Sequence, residues 1–395
     1  MSFNIALTGL NAVSDQLDTV SNNIANVGTV GFKSSRTEFG SVYADSQAMG
    51  VEVLGNTQSI SLGGSLTSTS RSLDLAISGG GFFVVKSTTG EQQYTRAGVF
   101  GTDTANYVVN SSGQRLQGYP TDADGNLLTG TISDLQLKTG SLPAKATDTL
   151  SFVANLDADE TVPAAAFDVT DAATYNSTYT TKVFDSQGKE HTLTQYFVKN
   201  GDNDWTSHNF VDGTASGTSN LTFDSAGMLT APTGPVTVNA TGLAGGVDPL
   251  AIAVDYTGTT QYGSDFAVTT NKASGYASGE KTGIAVDEGG KIYVNYSNGE
   301  RLLQGQVVLA NFANAEGLKN VSGTAWTETS NSGAALIGAP GVGQFGSVIT
   351  GALEGSNVDL TAQLVTLMEG QRNYQANTKV LTTDKELNQV LFSAI

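Results

Sequence analysis

The chain has 395 residues, a mass of 40.7 kDa, 47 glycines and only 14% charged residues, and its 37 acidic and 19 basic residues leave a net charge of −18. That charge argues against a sequence-independent grip on nucleic acid or on an anionic membrane surface. With no cysteine there are no disulfides, thiolate metal sites or cysteine nucleophile, and His191 and His208 are the only histidines available for acid–base work at neutral pH, so enzyme chemistry is not expected.

The first 27 residues repeat in heptads. Phe3, Leu10, Leu17 and Ile24 recur every seven positions, and Ala6, Val13, Val20 and Val27 follow three later. This spacing predicts one amphipathic helix of about 40 Å, capped by Ser2 and ending where Gly28 supplies the C′ position. A surface helix packed on its own domain has the same pattern. Residues 29–70 are rich in Ser, Gly and Thr with weak periodicity and read as a linker, as do residues 340–356.

From about Ser70 to Ala339 short β-branched and aromatic runs alternate with Gly, Asn and Asp, among them Phe82-Phe83-Val84-Val85 and Lys291-Ile292-Tyr293-Val294. This is β-sandwich or β-barrel texture, with hairpin turns expected at Asp124-Gly125, Gln187-Gly188, Asn200-Gly201 and Asn298-Gly299. Within it, residues 145–279 carry 15 acidic against 5 basic residues, which leaves −10 in that block alone. It reads as an inserted outer domain (145–279) within a first β domain (71–144 and 280–339).

At the far end, Ser356-Asn357-Val358-Asp359 resembles a helix start. A helix is predicted from there toward Ile395, with Leu360, Leu367, Tyr374, Leu381, Asn388 and Ile395 in one column flanked by Leu364, Met368, Leu387, Val390 and Leu391. The terminal helices (1–28 and 357–395) are expected to pair, because each gains stability mainly by burying a stripe. The predicted fold is therefore multidomain, α plus all-β: a coiled-coil-like inner domain of paired N- and C-terminal helices, and two nested β-sandwich or β-barrel-like outer domains.

No chemical motif survives its context. Gly341-Val342-Gly343-Gln344-Phe345-Gly346 has dinucleotide-loop spacing but follows Ala339-Pro340 rather than a strand. Asp122, Asp124 and Asn126 begin a calcium-loop pattern, yet Leu127 and Ser133 stand where Gly and a bidentate Glu belong. Asp157, Asp159 and Glu160 read as a solvated acidic loop. His191 near Asp185 or Glu190, and His208 near Asp204, lack a nucleophile motif, and both histidines are expected on exposed edges or turns. No cofactor or metal is expected.

Other strings are more specific. Asn22-Asn23-Ile24-Ala25-Asn26-Val27-Gly28-Thr29-Val30-Gly31-Phe32-Lys33 resembles the N-terminal signature of bacterial flagellar rod and hook axial proteins. Leu73 to Val85 and Leu116-Gln117-Gly118-Tyr119 look like the first β domain of that family, and Gln371-Arg372-Asn373-Tyr374-Gln375-Ala376-Asn377 is similar to its C-terminal helix. The chain's length and inserted block resemble hook-type rather than shorter rod-type members; a distal rod or hook–filament junction subunit is the alternative.

The resemblance implies a structural subunit whose arms coil together as copies stack into a curved helical tube, a universal joint passing motor torque from rod to filament. In the lone subunit the arms are expected to be largely disordered. The resemblance further implies contacts with other copies, the rod, a hook cap, hook–filament junction proteins and the type III export apparatus. Location in the extracellular flagellum follows, with export without a cleaved signal, since Lys33 is the first basic residue. No apolar stretch is long enough for membrane insertion.

Overall fold

A computed structural model describes residues 2–393 apart from 45–46, 123–124, 139, 242 and 244–245. The chain is mostly β with one long helix at each end, and it divides into two compact units. The first comprises Met1–Thr139, Gly283–Val294 and Arg301–Ile395; the second comprises Gly140–Thr282 with Asn295–Glu300.

In the first unit, helix α1 spans Ser2–Ala25 and helix α2 spans Leu360–Ser393. Between α1 and the β body lies an antiparallel hairpin of β1 (Ser35–Ala44) and β2 (Gln47–Gln58). Helix α1 ends at Ala25, three residues before the expected Gly28. The Asn26 side chain donates to the Asn22 backbone carbonyl at 3.0 Å, and Gly31, not Gly28, takes the left-handed conformation.

The run Phe82-Phe83-Val84-Val85 is fully buried because alternate side chains enter two different cores. Phe83 and Val85 join Phe100, Leu116 and Leu309, whereas Phe82 and Val84 join Tyr94, Phe312 and Trp326. A strand covered on both faces reads as a continuous apolar run rather than an alternation.

The segments expected as linkers are largely paired backbone. Besides the β1–β2 hairpin, Leu66–Ser68 pairs antiparallel with Ala352–Glu354, and Leu75–Ser78 with Ser347–Thr350. These last strands have only three or four residues, too few to show a period of two. Gly341 donates its N–H to the Gly346 carbonyl at 2.9 Å, closing a turn that feeds a strand, not a helix. Asp122 accepts from the Asn126 N–H at 2.8 Å as a turn residue; Asp124 lies outside the described residues.

The second unit has two five-stranded sheets whose inward residues share one core, including Phe152, Phe197, Trp205, Ile252 and Tyr256. One sheet is an antiparallel meander over Ser177–Phe184, Glu190–Gly201, Asp204–Val211, Thr214–Phe223 and Leu229–Ala231. The other is built around Thr149–Asp157, which pairs in parallel with Leu250–Asp255 and Thr260–Tyr262 and antiparallel with Ala267–Ala273. The turn expected at Asn200-Gly201 falls two residues later, where Asn203 has a φ of 60°.

Neither histidine lies on an exposed edge or turn. His191 is buried near the start of a strand, flanked by Asp185 and Asp212; Glu190 instead pairs with Lys182. His208 is half-buried mid-strand and stacks on Phe167 with ring centroids 4.0 Å apart. Successive strand residues face opposite sides of a sheet, so Glu190 cannot share the direction of His191.

Candidate functional site

Helix α2 begins at Asp359, whose Oδ1 accepts the N–H groups of Thr361 and Ala362 at 2.9 and 3.1 Å. This satisfies two orphan donors and sets a negative charge at the positive end of the helix. Helices α1 and α2 then run in opposite directions against each other. Gly9 lies beside Asn377, Leu17 beside Gly370, and the Asn23 Nδ2 donates to Gln363 Oε1 at 3.1 Å. On α2 these positions, 363, 370 and 377, are spaced by seven.

The approach depends on missing side chains. A Cβ on Gly9 would stand 2.9 Å from Asn377 Nδ2, and one on Gly370 would stand 2.8 Å from Leu17 Cδ2. At these points the helices meet through glycine and amides, with Leu17 of the predicted apolar column packed on Gly370.

The residues expected to carry the pairing divide between covered and open positions, and Leu17 is one of those in the seam. Ala6, Val13 and Val20 are buried and Leu10, Leu17 and Ile24 half-buried, but Phe3 and Val27 are exposed, Val27 beyond the helix end. On α2, Leu367 and Leu381 are half-buried, whereas Leu360, Leu364 and Tyr374 are exposed; the Leu391 side chain and Ile395 lie outside the described residues. Met368, Leu387 and Val390 are 57%, 65% and 65% exposed. Periodicity picks out apolar columns, and the closest approaches add glycine and amides to them.

Another face of α1 packs on the hairpin through hydroxyls and amides. Thr37 Oγ1 donates to Thr19 Oγ1 at 2.9 Å, and Thr8 sits so close to Gly50 that a Cβ there would collide with its hydroxyl. Asn23 is almost wholly buried. Its amide donates to the Ser35 carbonyl at 2.7 Å and accepts the Ser35 N–H at 2.9 Å, so it joins α1, β1 and α2 at one point. Phe39, Tyr43, Met49 and Leu54 of the hairpin stay exposed. A groove of about 560 Å³, lined by Ile5, Val13, Gln16, Phe39, Tyr43 and Asn373 among others, separates hairpin and helices.

The signature residues converge below α1. Asn22 and Asn26 bond to each other at 2.7 Å, and a Cβ on Gly31 would come within 2.5 Å of the Ala97 backbone nitrogen. Lys33 is fully buried, donating to Glu354 Oε1 and to the Leu62 carbonyl at 2.6 Å each. The other carboxylate oxygen meets Arg96 Nη1 at 3.1 Å, and the Gly64 N–H adds a fourth tie at 3.0 Å. Burial pushes the Glu354 carboxyl up, but Arg96, Lys33 and the Gly64 N–H outweigh it and hold it below its usual range.

Of the remaining signature residues, Phe32 is half-buried, while Ala25, Arg372 and Asn373 are exposed. The sequence reading missed Glu354 and Arg96, which lie outside the recognised strings. A carboxylate three residues after the Gly351 turn, at the end of a three-residue strand, carries no local mark of burial.

Comparison with known proteins covers the whole length. Residues 3–33 match the model described as flagella basal body rod protein, 76–150 the flagellar hook protein FlgE/F/G D1 domain, 155–276 the flagellar basal body protein FlaE D2 domain, and 349–393 the flagellar basal body rod FlgEFG protein C-terminal. The flagellar hook protein FlgE of Escherichia coli is 37% identical over 405 residues, covering 99% of both chains, and that of Salmonella typhimurium is 38% identical over 410. The chain belongs to the flagellar hook protein family, FlgE.

The FlgE of Treponema pallidum is 32% identical over 98% of this chain and 97% of its own. The crystal structure of Helicobacter pylori flagellar hook protein FlgE2 covers 71% of this chain and 98% of its own with a TM-score of 0.54 at 13% identity, a likeness of fold. This FlgE-family chain is a structural subunit of the bacterial flagellar hook, part of the self-assembling axial structure outside the cell, and not an enzyme. The helix pair, the hairpin and the Lys33–Glu354–Arg96 cluster thus belong to a subunit made for assembly.

Proposed function

We propose that the subunit polymerises through its two ends, by a head-to-tail contact between different surfaces whose rotation does not close, which generates an open helical tube rather than a closed dimer. The observation that carries this is the uncovered apolar surface of the helix pair: Leu364, Val365, Met368, Val380, Leu387 and Val390 of α2 and Phe3, Ile5 and Leu7 of α1 are all exposed. Many exposed apolar side chains gathered on two paired helices mark an interaction site. In the tube, neighbouring copies cover it and the arms form a coiled-coil-like inner layer, so that ordering of the arms is coupled to addition of a subunit.

The β regions, 71–144 with 280–339 and the inserted 145–279, act as nested outer domains. A curved tube that rotates must lengthen and shorten each protofilament once per turn, and polar Ser/Thr/Gly-rich surfaces tolerate sliding better than dry apolar ones. Such a tube works as a universal joint between rod and filament. Contacts with the rod, a hook cap and the junction proteins, and type III export without signal cleavage, complete the proposal.

Electron microscopy of cells producing the chain without residues 1–27 tests it. Hooks are expected to be absent and the cells non-motile. Curved hooks of normal length in that strain would contradict the role given to α1.

A further inference from the structure

The second unit contains a buried titratable group away from the terminal helices. His191 is 2% exposed and lies between two carboxylates: its Nδ1 is 2.6 Å from Asp212 Oδ2 and its Nε2 is 3.2 Å from Asp185 Oδ2. A neutral imidazole has one N–H and one lone pair, so it can serve only one of two ionised acceptors. Carboxylates on both ring nitrogens therefore require the imidazolium.

The two aspartates belong to different hairpin turns. Asp185 accepts the N–H groups of Gln187 and Lys189, each at 2.9 Å, and so shapes the turn between Ser177–Phe184 and Glu190–Gly201. Asp212 has a φ of 48°, a conformation uncommon for a residue with a side chain, in the turn between Asp204–Val211 and Thr214–Phe223. Its second oxygen accepts the Thr192 N–H at 2.9 Å and the Thr192 hydroxyl at 3.2 Å. His191 thus ties two neighbouring turns at one end of a sheet and helps hold a disfavoured backbone conformation in place.

We propose that His191 is a proton-operated clamp, which in its doubly protonated form fastens these two turns and on losing a proton keeps its shorter bond to Asp212 and frees the Asp185 turn. Among the described residues, Asp212 and Asp185 are the charges that act on the imidazole; the neighbouring Glu190 is paired with Lys182. Burial alone pulls the imidazole down, but the two carboxylates outweigh it and hold it above its ordinary value. The raised value sets the sign: the clamp is complete below about pH 6.5 and is lost as the pH rises through the folded-state midpoint. Both aspartates are held below their usual range against the upward push of burial, so they stay ionised until the medium is distinctly acid.

The chain has only two histidines, and His208 is pushed down by burial, which makes it an internal reference. The test is long-range 15N–1H NMR of the full chain labelled at histidine, from pH 5 to 9, with signals assigned through His208→Gln. His191 is expected to keep both nitrogens protonated after His208 has become neutral. Asp212→Asn should lower its midpoint by about one unit or more, and exchange of the Gln187 and Lys189 amides, which Asp185 holds, should speed up as the pH passes the wild-type midpoint. A His191 found as a single neutral tautomer at pH 6.5, or titrating below His208, overturns the proposal. The wild-type titration needs no substitution, so it decides even where a variant fails to fold.

Discussion

Glu354→Ala is expected to destabilise the first unit strongly while leaving the second unchanged. Glu354 is the shared counter-charge of Lys33 and Arg96, and the side chains of these three residues are 2%, 0% and 5% exposed. Deleting the carboxylate leaves two cations in a site from which water is excluded. Removing one partner of a buried ion pair typically costs about 3–5 kcal/mol, and the cost comes from the stranded charge rather than from the lost attraction. That is a large share of the ~5–15 kcal/mol that ordinarily separates a folded domain from its unfolded state.

The two tryptophans divide the readout. Trp326 lies in the first unit and Trp205 in the second. In a Trp205→Phe background, urea unfolding followed by fluorescence should show the Trp326 transition moved far down by Glu354→Ala; in a Trp326→Phe background, the Trp205 transition should stay in place. Acid should act on the same residue. Because the Glu354 carboxyl is depressed, its contribution is complete above about pH 4.3 and is lost as the pH falls through the folded value. An unchanged Trp326 transition in Glu354→Ala would remove the cluster from the account.

The second large effect is expected at the helix seam. Gly370→Val places two γ carbons against Leu17, where even a Cβ would stand at 2.8 Å. Overpacking of this kind costs about 1–3 kcal/mol, so the critical concentration for polymer growth should rise on the order of tenfold or more. Gly370→Ala is the control. Its single carbon meets the far end of a flexible leucine, and the ~1 kcal/mol gained in helix propensity offsets the crowding, so assembly should be close to normal. Sedimentation of seeded polymer across a concentration series measures both. Equal inhibition by the two variants would mean that close approach at Gly370 is not what matters.

How much of this was legible beforehand depended on the kind of force involved. The helices at both ends showed in the heptads, and the buried strand Phe82–Val85 in its unbroken apolar run. Of the pairing face Leu17 showed and the rest did not, because Gly9, Asn23, Gln363, Gly370 and Asn377 carry no hydrophobic period. The hairpin β1–β2 was hidden for the same reason: its hydrogen bonds to α1 run through Thr37 and Ser35, while Phe39 and Tyr43 line an open groove and stay exposed.

Asn23, Gly31 and Lys33 stood in a recognisable string, yet their reasons are spatial. They are a three-way amide junction, a backbone contact closed to any Cβ, and an ammonium buried against a carboxylate 321 residues away. His191 was misplaced because its partners come from two turns, 6 and 21 residues distant, and the adjacent Glu190 points the other way.

The central claim is that apolar surface at the two ends of the chain is covered only by further copies. Hydrogen–deuterium exchange, read by mass spectrometry on peptides within residues 2–25 and 360–393, compares the free subunit with seeded polymer directly. Strong new protection at both ends in the polymer, with little change in peptides from the core of the second unit, is the predicted result. Equal protection at both ends before and after polymer growth would contradict it.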